Sequence, residues 1–248
     1  MPPKPRELLR GAFSGAAAVG ITGALSSVVS ALSFVDERAP DRAIYLWAHS
    51  VLRTSGVRTE CRGLDNLPPG NFVLCVNHQS NFDALVLFRH IRRHMRYVAK
   101  SQLLKVPLLG PALRRAGNIF VDRTGGSSDR TKLMDAAAAV RDRVSIVFFA
   151  EGTRSDDGIL RPFKKGAAAM AIEAGVPLVP AAIAGTHRIL EKGSVIIRPR
   201  PSALIIGEPL STTGLSADDR DELTLKAHAA VAKLLEEGNQ LVVEMEQM

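Results

Sequence analysis

Two short runs, Phe72–Val76 and Ile146–Phe149, are apolar at every position. Side chains of a strand point to opposite faces in turn, so a strand with one wet face alternates apolar and polar residues. An unbroken run therefore predicts a strand covered on both faces. A mostly parallel sheet between helical layers meets that condition, and the rest of the chain is punctuated accordingly. Further strands are expected at Tyr97–Ala99, Ile119–Val121, Leu178–Ile183 and one or both of Val195–Ile197 and Ala203–Ile206, with Ser145 opening the second run. Helices are expected at Ala84–His90, Arg130–Val140, Lys165–Ala174 and Ala217–Glu237, the last behind Ser216 with Asp219 in the capping-box position.

The N-terminus follows other rules. Gly11 to Val35 is a twenty-five-residue stretch without a charge, long enough at about 1.5 Å per residue to cross a hydrocarbon core of about 30 Å. Ten of those residues are Gly, Ser or Thr, so insertion is marginal. Lys4, Arg6 and Arg10 precede the stretch while Asp36 and Glu37 follow it, which is expected to keep the N-terminus cytoplasmic. Ala43 to Val51, with Tyr45 and Trp47, is expected to return the chain to that face as the second arm of a shallow hairpin. The fold class expected is therefore α/β, a mixed and mostly parallel central sheet flanked by helices, with an N-terminal helical membrane-anchoring segment. The division is residues 1–53 for the anchor and 54–248 for the catalytic domain. The anchor is expected to be re-entrant or monotopic, on the cytoplasmic face of the cell membrane.

Thirty-two Lys and Arg against twenty-five Asp and Glu leave a net charge of +7, which points to anionic partners. Phosphorylated substrates, anionic lipid surfaces and nucleic acid all qualify. Aromatic residues at 5%, the lack of a recognition motif and the apolar N-terminus argue against nucleic acid. Two cysteines, Cys61 and Cys75, make neither a disulfide framework nor a zinc site, and no histidine spacing suggests a metal.

The first strand runs into Asn77-His78-Gln79-Ser80-Asn81-Phe82-Asp83, where an apolar helix begins. A turn of four residues lets Asp83 accept the Nδ1 hydrogen of His78 and leave Nε2 free to take a proton from a hydroxyl. That spacing arises by chance too often to decide anything alone. Three more strand ends carry polar or turn residues: Gly117-Asn118-Ile119-Phe120-Val121-Asp122-Arg123, Phe149-Ala150-Glu151-Gly152-Thr153-Arg154-Ser155 and Val176-Pro177-Leu178-Val179-Pro180-Ala181-Ala182-Ile183. In an open α/β sheet such ends converge where ligands bind.

Taken in order, these four blocks resemble those of the glycerolipid acyltransferases, most closely the 1-acylglycerol-3-phosphate acyltransferases, over about residues 60 to 185. The resemblance implies that His78 is the base and Asp83 its orienter, with Asn77 beside them. It implies that Gly117 and Arg123, together with Glu151, Gly152, Thr153 and Arg154, shape a site for the acceptor phosphate. Lys100, within a segment that also resembles the family, is a further phosphate contact, and Pro180 shapes the acyl side. Ala150 stands where the family usually has Pro, a change that removes no functional group.

The chemistry so implied needs no cofactor and no metal. His78 deprotonates the free hydroxyl of lysophosphatidic acid and the oxygen attacks an acyl thioester, acyl-CoA or acyl carrier protein, while backbone N–H groups steady the oxyanion. Arg154 offers a planar fork for a phosphate, and Lys100 or Arg123 adds a point charge. A covalent route through Ser80 or Ser155 lacks the G-x-S-x-G context. Lys164 and Lys165 fit equally a solvated helix start or a donor-phosphate contact. Arg89, Arg92, Arg93 and Arg96 share one face if a helix runs through them; a solvated face is the default and anionic headgroups of membrane lipids the alternative.

Overall fold

The computed structural model describes residues 5–36, 38–122 and 127–248. Its strands are β1 (Thr59–Arg62), β2 (Val73–Val76), β3 (Met95–Lys100), β4 (Ile119–Val121), β5 (Ser145–Phe149), β6 (Leu178–Ala184) and β7 (Ser202–Ile206). Its helices are α1 (Pro5–Leu32), α2 (Pro40–Thr54), α3 (Phe82–His90), α4 (Leu109–Arg115), α5 (Ser127–Asp142), α6 (Gly166–Ala174) and α7 (Arg220–Gln247). The strands form one sheet in the order β1-β7-β6-β2-β5-β3-β4. Neighbours from β6 through β4 run parallel, β7 runs antiparallel to β6, and β1 is parallel to β7. This is the mixed, mostly parallel sheet that the unbroken apolar runs require.

All four residues of β2 are buried. Val73 and Cys75 pack with Ile146 and Phe148 against α5, α6 and the start of α7 on one face. Leu74 and Val76 pack with Val147 and Val179 against Val86 and Leu87 of α3 on the other. Because β2, β5, β3, β4 and β6 point the same way, their carboxyl ends share one edge of the sheet.

Several elements differ from expectation. Thr59–Arg62 alternates half-buried and exposed residues as an edge strand, too short and charged to show in an apolar pattern. Val195–Ile197 is not a strand, and only Ser202–Ile206 joins the sheet. Helix α7 continues past Glu237 because Leu241, Val242 and Met245 cover the small residues Ala182, Ala184 and Ala203. Its start matches expectation, with Ser216 and Asp219 forming a capping box around a short 3-10 turn. The four arginines do not share a helix face. Helix α3 ends at His90, and Arg96 lies on β3, 3% exposed, with its guanidinium on Asp41.

Helix α1 contains the single stretch among the described residues long and apolar enough to cross a membrane, Leu9–Leu32. Leu9, Phe13, Val19 and Val28 face outward along it. Its other side rests on the protein. A Cβ added at Gly15 would lie 2.3 Å from the Val195 carbonyl oxygen, and one at Gly11 2.5 Å from Ile196 Cγ2, so these glycines let the 195–197 segment cross the helix in backbone contact. Farther along, Trp47 Nε1 of α2 donates to Thr22 Oγ1 at 2.9 Å. Near the end, Val29 packs on Ala112 of α4 and on Ala116 just beyond it.

Candidate active site

Beyond β2 the chain leaves the sheet, and each polar side chain of the turn is used to hold it. Asn77, 1% exposed, extends the ladder with its carboxamide: Nδ2 donates to the Ile183 carbonyl at 2.9 Å and Oδ1 accepts from Ile183 N–H at 2.8 Å. The turn is thereby fastened to β6. Ser80 Oγ donates to the Leu190 carbonyl at 2.9 Å, and Gln79 Nε2 reaches the Gly158 carbonyl at 3.4 Å.

The turn closes on Asp83 in the first turn of α3, whose side chain has no solvent exposure. Asp83 Oδ2 accepts the N–H of Gln79 at 2.7 Å, the N–H of Ser80 at 3.0 Å and a hydrogen bond from His78 Nδ1 at 2.7 Å. Its other oxygen accepts from Thr186 Oγ1. An oxygen that already receives two backbone hydrogens acts as an acceptor toward the imidazole, so Nδ1 carries the hydrogen and Nε2 presents a lone pair. The His78 ring stacks on Phe149 with centroids 4.1 Å apart, Phe149 stacks on Tyr97 at 5.5 Å, and Tyr97 meets the edge of Phe88 at 5.0 Å. Packing thus fixes the ring plane while hydrogen bonding fixes its tautomer.

From β5 comes a second fastening. Glu151, 4% exposed, accepts His78 N–H on Oε1 at 2.6 Å and Arg161 N–H on Oε2 at 3.0 Å. Its carboxylate is turned inward to the main chain, not outward to an anion site. Burial pushes this carboxyl up to about 7 against the pull of the two N–H donors, and the neighbouring Asp83 charge adds to the rise. Ser155 N–H closes the same loop on the His78 carbonyl at 2.8 Å, which places Arg154 next to the histidine. Gly152 turns there with φ of +72°, and a side chain on it would meet the Lys164 stem at 2.8 Å. Thr153 is exposed and Arg154 half-buried.

Lys100 is exposed at the carboxyl end of β3, in register with Val121 of β4. Among the described residues, neither Lys100 nor Arg154 has an acidic partner, whereas Lys165 is paired with Asp221 at 2.7 Å. Arg123 lies outside the described residues. Gly117 is at the opposite end of β4 from this edge, where φ of +81° turns the chain out of α4, so it shapes the strand entry and not the surroundings of His78. Pro180 lies inside β6 between Leu178 and Ala182, on the face turned away from Val179 and Ala181, which lie on the α3 face. Three functional neighbours escape sequence reasoning: Thr186, Phe149 and Gln79. Thr186 is separated from Asp83 by 103 positions, and no local pattern links them.

The sequence profile of a family described as Acyltransferase matches residues 58–184. A chloroplastic 1-acyl-sn-glycerol-3-phosphate acyltransferase of Brassica napus is 34% identical over 168 residues, covering 66% of this chain and 48% of its own length. The 1-acyl-sn-glycerol-3-phosphate acyltransferase of Salmonella typhimurium is 32% identical over 202 residues, covering 77% of this chain and 78% of its own. The chain spans about half the length of the first plant relatives it matches. The crystal structure of the 1-acyl-sn-glycerophosphate acyltransferase from Thermotoga maritima has the same fold, with a TM-score of 0.77 over 98% of this chain and 97% of that one, at 24% identity.

Proposed function

Because the chain belongs to the acyltransferase family, we propose that it transfers an acyl chain from an acyl thioester to the free hydroxyl of 1-acyl-sn-glycerol-3-phosphate, giving phosphatidic acid for phospholipid biosynthesis. The observation that carries this reading is the His78–Asp83 pair at 2.7 Å on the carboxyl edge of the sheet. Arg154 adjoins Ser155, whose N–H bonds the His78 carbonyl, and Lys100 ends β3 on the same edge, neither with an acidic partner among the described residues. A base and uncompensated cations at one edge suit a substrate that bears both a hydroxyl and a phosphate.

In this reaction His78 Nε2 takes the hydroxyl proton as the oxygen attacks the thioester carbonyl. The tetrahedral adduct collapses, the carbon–sulfur bond breaks, and the imidazolium returns its proton to the departing thiolate. Asp83 holds the ring in the tautomer that permits both transfers. Arg154 and Lys100 hold the acceptor phosphate with Arg123, while Thr153 lines the rim and Gly152 gives the loop its turn. Glu151 and Asn77 position the turn that carries His78. A narrow apolar cavity lined by Leu25, Val29, Trp47, Phe88, Tyr97 and Leu113 adjoins the Tyr97 ring. Acyl-CoA and acyl carrier protein are both donors compatible with this site.

Residues 1–53 serve as the anchor on the cytoplasmic face of the cell membrane. Helix α1 is held to the protein at Gly11, Thr22 and Val29, that is, near both ends and the middle. A crossing would carry those contacts and the charged elements behind them into hydrocarbon, so the helix lies in one leaflet with its outer face in lipid. Purified wild-type and His78→Ala protein, given acyl-CoA or acyl carrier protein with a panel of lysolipids and assayed by mass, test the activity. Phosphatidic acid from the wild type alone is expected. Equal turnover by His78→Ala would remove the general base from the mechanism.

A further inference from the structure

A cavity of about 280 Å³ opens between the first turns of α2 and the segment joining α3 to β3, close to the lower end of ligand-pocket sizes. Arg42, Tyr45, Phe88, Arg92, Arg93 and His94 are among its lining residues. The Tyr45 hydroxyl accepts from Arg92 at 2.6 Å and from Arg89 at 3.3 Å, and the Arg92 guanidinium sits 4.3 Å from the centre of the Tyr45 ring. Two guanidinium groups are thus gathered on one neutral oxygen. Among the described residues neither has an acidic partner, and nor does Arg42.

The acid in this wall, Asp41, is committed elsewhere. Its carboxylate receives His94 Nδ1 at 2.7 Å and Arg96 at 2.8 Å. Arg93 is occupied by the carbonyls of Pro68, Pro69 and Gly70. Like charges held together repel unless an anion lies near them, and a phosphate has the charge to offset the pair and the acceptor geometry to receive the Arg92 fork. Tyr45 and Leu46, the latter 50% exposed, sit on α2, which packs against the apolar helix α1. The cavity therefore stands beside the surface that α1 offers to lipid.

We infer that this cavity is an accessory site for the phosphate of an anionic phospholipid headgroup, held by Arg92 and Arg42 of its lining, with Arg89 adding its charge from behind the shared Tyr45 hydroxyl, and separate from the His78 edge. The shared chemistry is a phosphate ester. Its source at this position is the bilayer, because α2 carries the cavity and rests on the helix that lies in it.

The full-length protein is incubated with phosphatidylcholine vesicles and with vesicles holding equal parts phosphatidylcholine and phosphatidylglycerol, and its partitioning is measured by flotation. Preference for the anionic vesicles is expected to drop about fivefold for each of Arg89→Gln and Arg92→Gln, as follows for cations near a charged leaflet. Arg92→Lys, which keeps the charge, retains most of it. Arg42→Gln, at an exposed position like that of Arg92, lowers it even if Arg89→Gln folds poorly. In parallel, melting is compared in inorganic phosphate and in chloride at equal ionic strength. A phosphate-induced rise seen in the wild type and lost in Arg89→Gln/Arg92→Gln, without a change in vesicle preference, would replace the lipid with a soluble phosphate and overturn the assignment. So would folded Gln variants, Arg42→Gln included, that keep the wild-type preference. Neither readout uses catalysis, so each stands whether or not the acyl-transfer reading does.

Discussion

Replacing Asp83 by asparagine changes one atom at the centre of the hydrogen-bond pattern. Its Oδ2 position receives three hydrogens, from His78 Nδ1, Gln79 N and Ser80 N, so the asparagine amide nitrogen cannot sit there without facing three donors. The carboxamide oxygen takes that place, and the nitrogen turns to Thr186, whose hydroxyl rotates to accept. The pattern therefore survives with its charge removed. Four charged hydrogen bonds become neutral ones, a loss of about 1 kcal/mol each, offset by no longer burying a charge in a site without solvent exposure, so net stability stays within about 2 kcal/mol of wild type. Catalysis responds differently. An imidazolium that forms as the hydroxyl loses its proton no longer has a carboxylate 2.7 Å away, and the rate is expected to fall about 10²–10⁴-fold, the range for a general base deprived of its support. The assay is kcat from single-product mass detection with saturating lysophosphatidic acid, beside a melting curve for the same preparation. A folded Asp83→Asn protein within about threefold of wild-type kcat would refute the role given to the pair, since that is far below the contribution of acid–base catalysis.

Thr186→Val keeps the shape but leaves Asp83 Oδ1 buried without its donor, and is expected to lower kcat at least tenfold with about 1–3 kcal/mol lost in melting; Thr186→Ser restores most of the activity if the hydroxyl, and not the packing, is what matters. The Glu151 carboxyl is raised from 4.5 to about 7, so its contribution to stability is fully present below pH 4.5 and disappears as pH rises through about 7. The unfolding free energy is thus expected to fall across that window by about 1–3 kcal/mol, and its pH dependence to flatten in Glu151→Gln. Gly15→Ala forces the 195–197 segment off α1 and is expected to cost about 1–3 kcal/mol, read by thermal melting. Gly20→Ala, with nothing within 4 Å of the added methyl, is expected to gain about 0.5–1 kcal/mol in the same helix.

Much of this protein is written in local pattern. The unbroken apolar runs demand a two-sided sheet because burial on both faces disfavours polar residues, and β2 is buried throughout and β5 up to Phe148, with Phe149 half-buried. The His78–Asp83 contact was within reach of local reading, since both partners lie in one segment and four intervening residues suffice for the turn. The spacing alone is common, and only its company with the three other blocks singled the pair out. The capping box at Ser216 belongs to the same class of short-range signal. Other features exist only once strands from distant parts of the chain lie side by side. Glu151 has the residue type of a ligand-facing acid, yet it serves two backbone N–H groups, one of them 73 positions away. Thr186 reaches Asp83 because β6 ends next to β2, Gly117 belongs to the far edge because it precedes β4 and β4 runs parallel to β3, and Gly11 and Gly15 acquire a purpose only against 195–197. Sequence determines what a segment can bury and which turns it can make, since those depend on neighbours a few bonds away. Which side chain answers which charge is decided by sheet order and strand length, and these are settled by the whole chain packing at once.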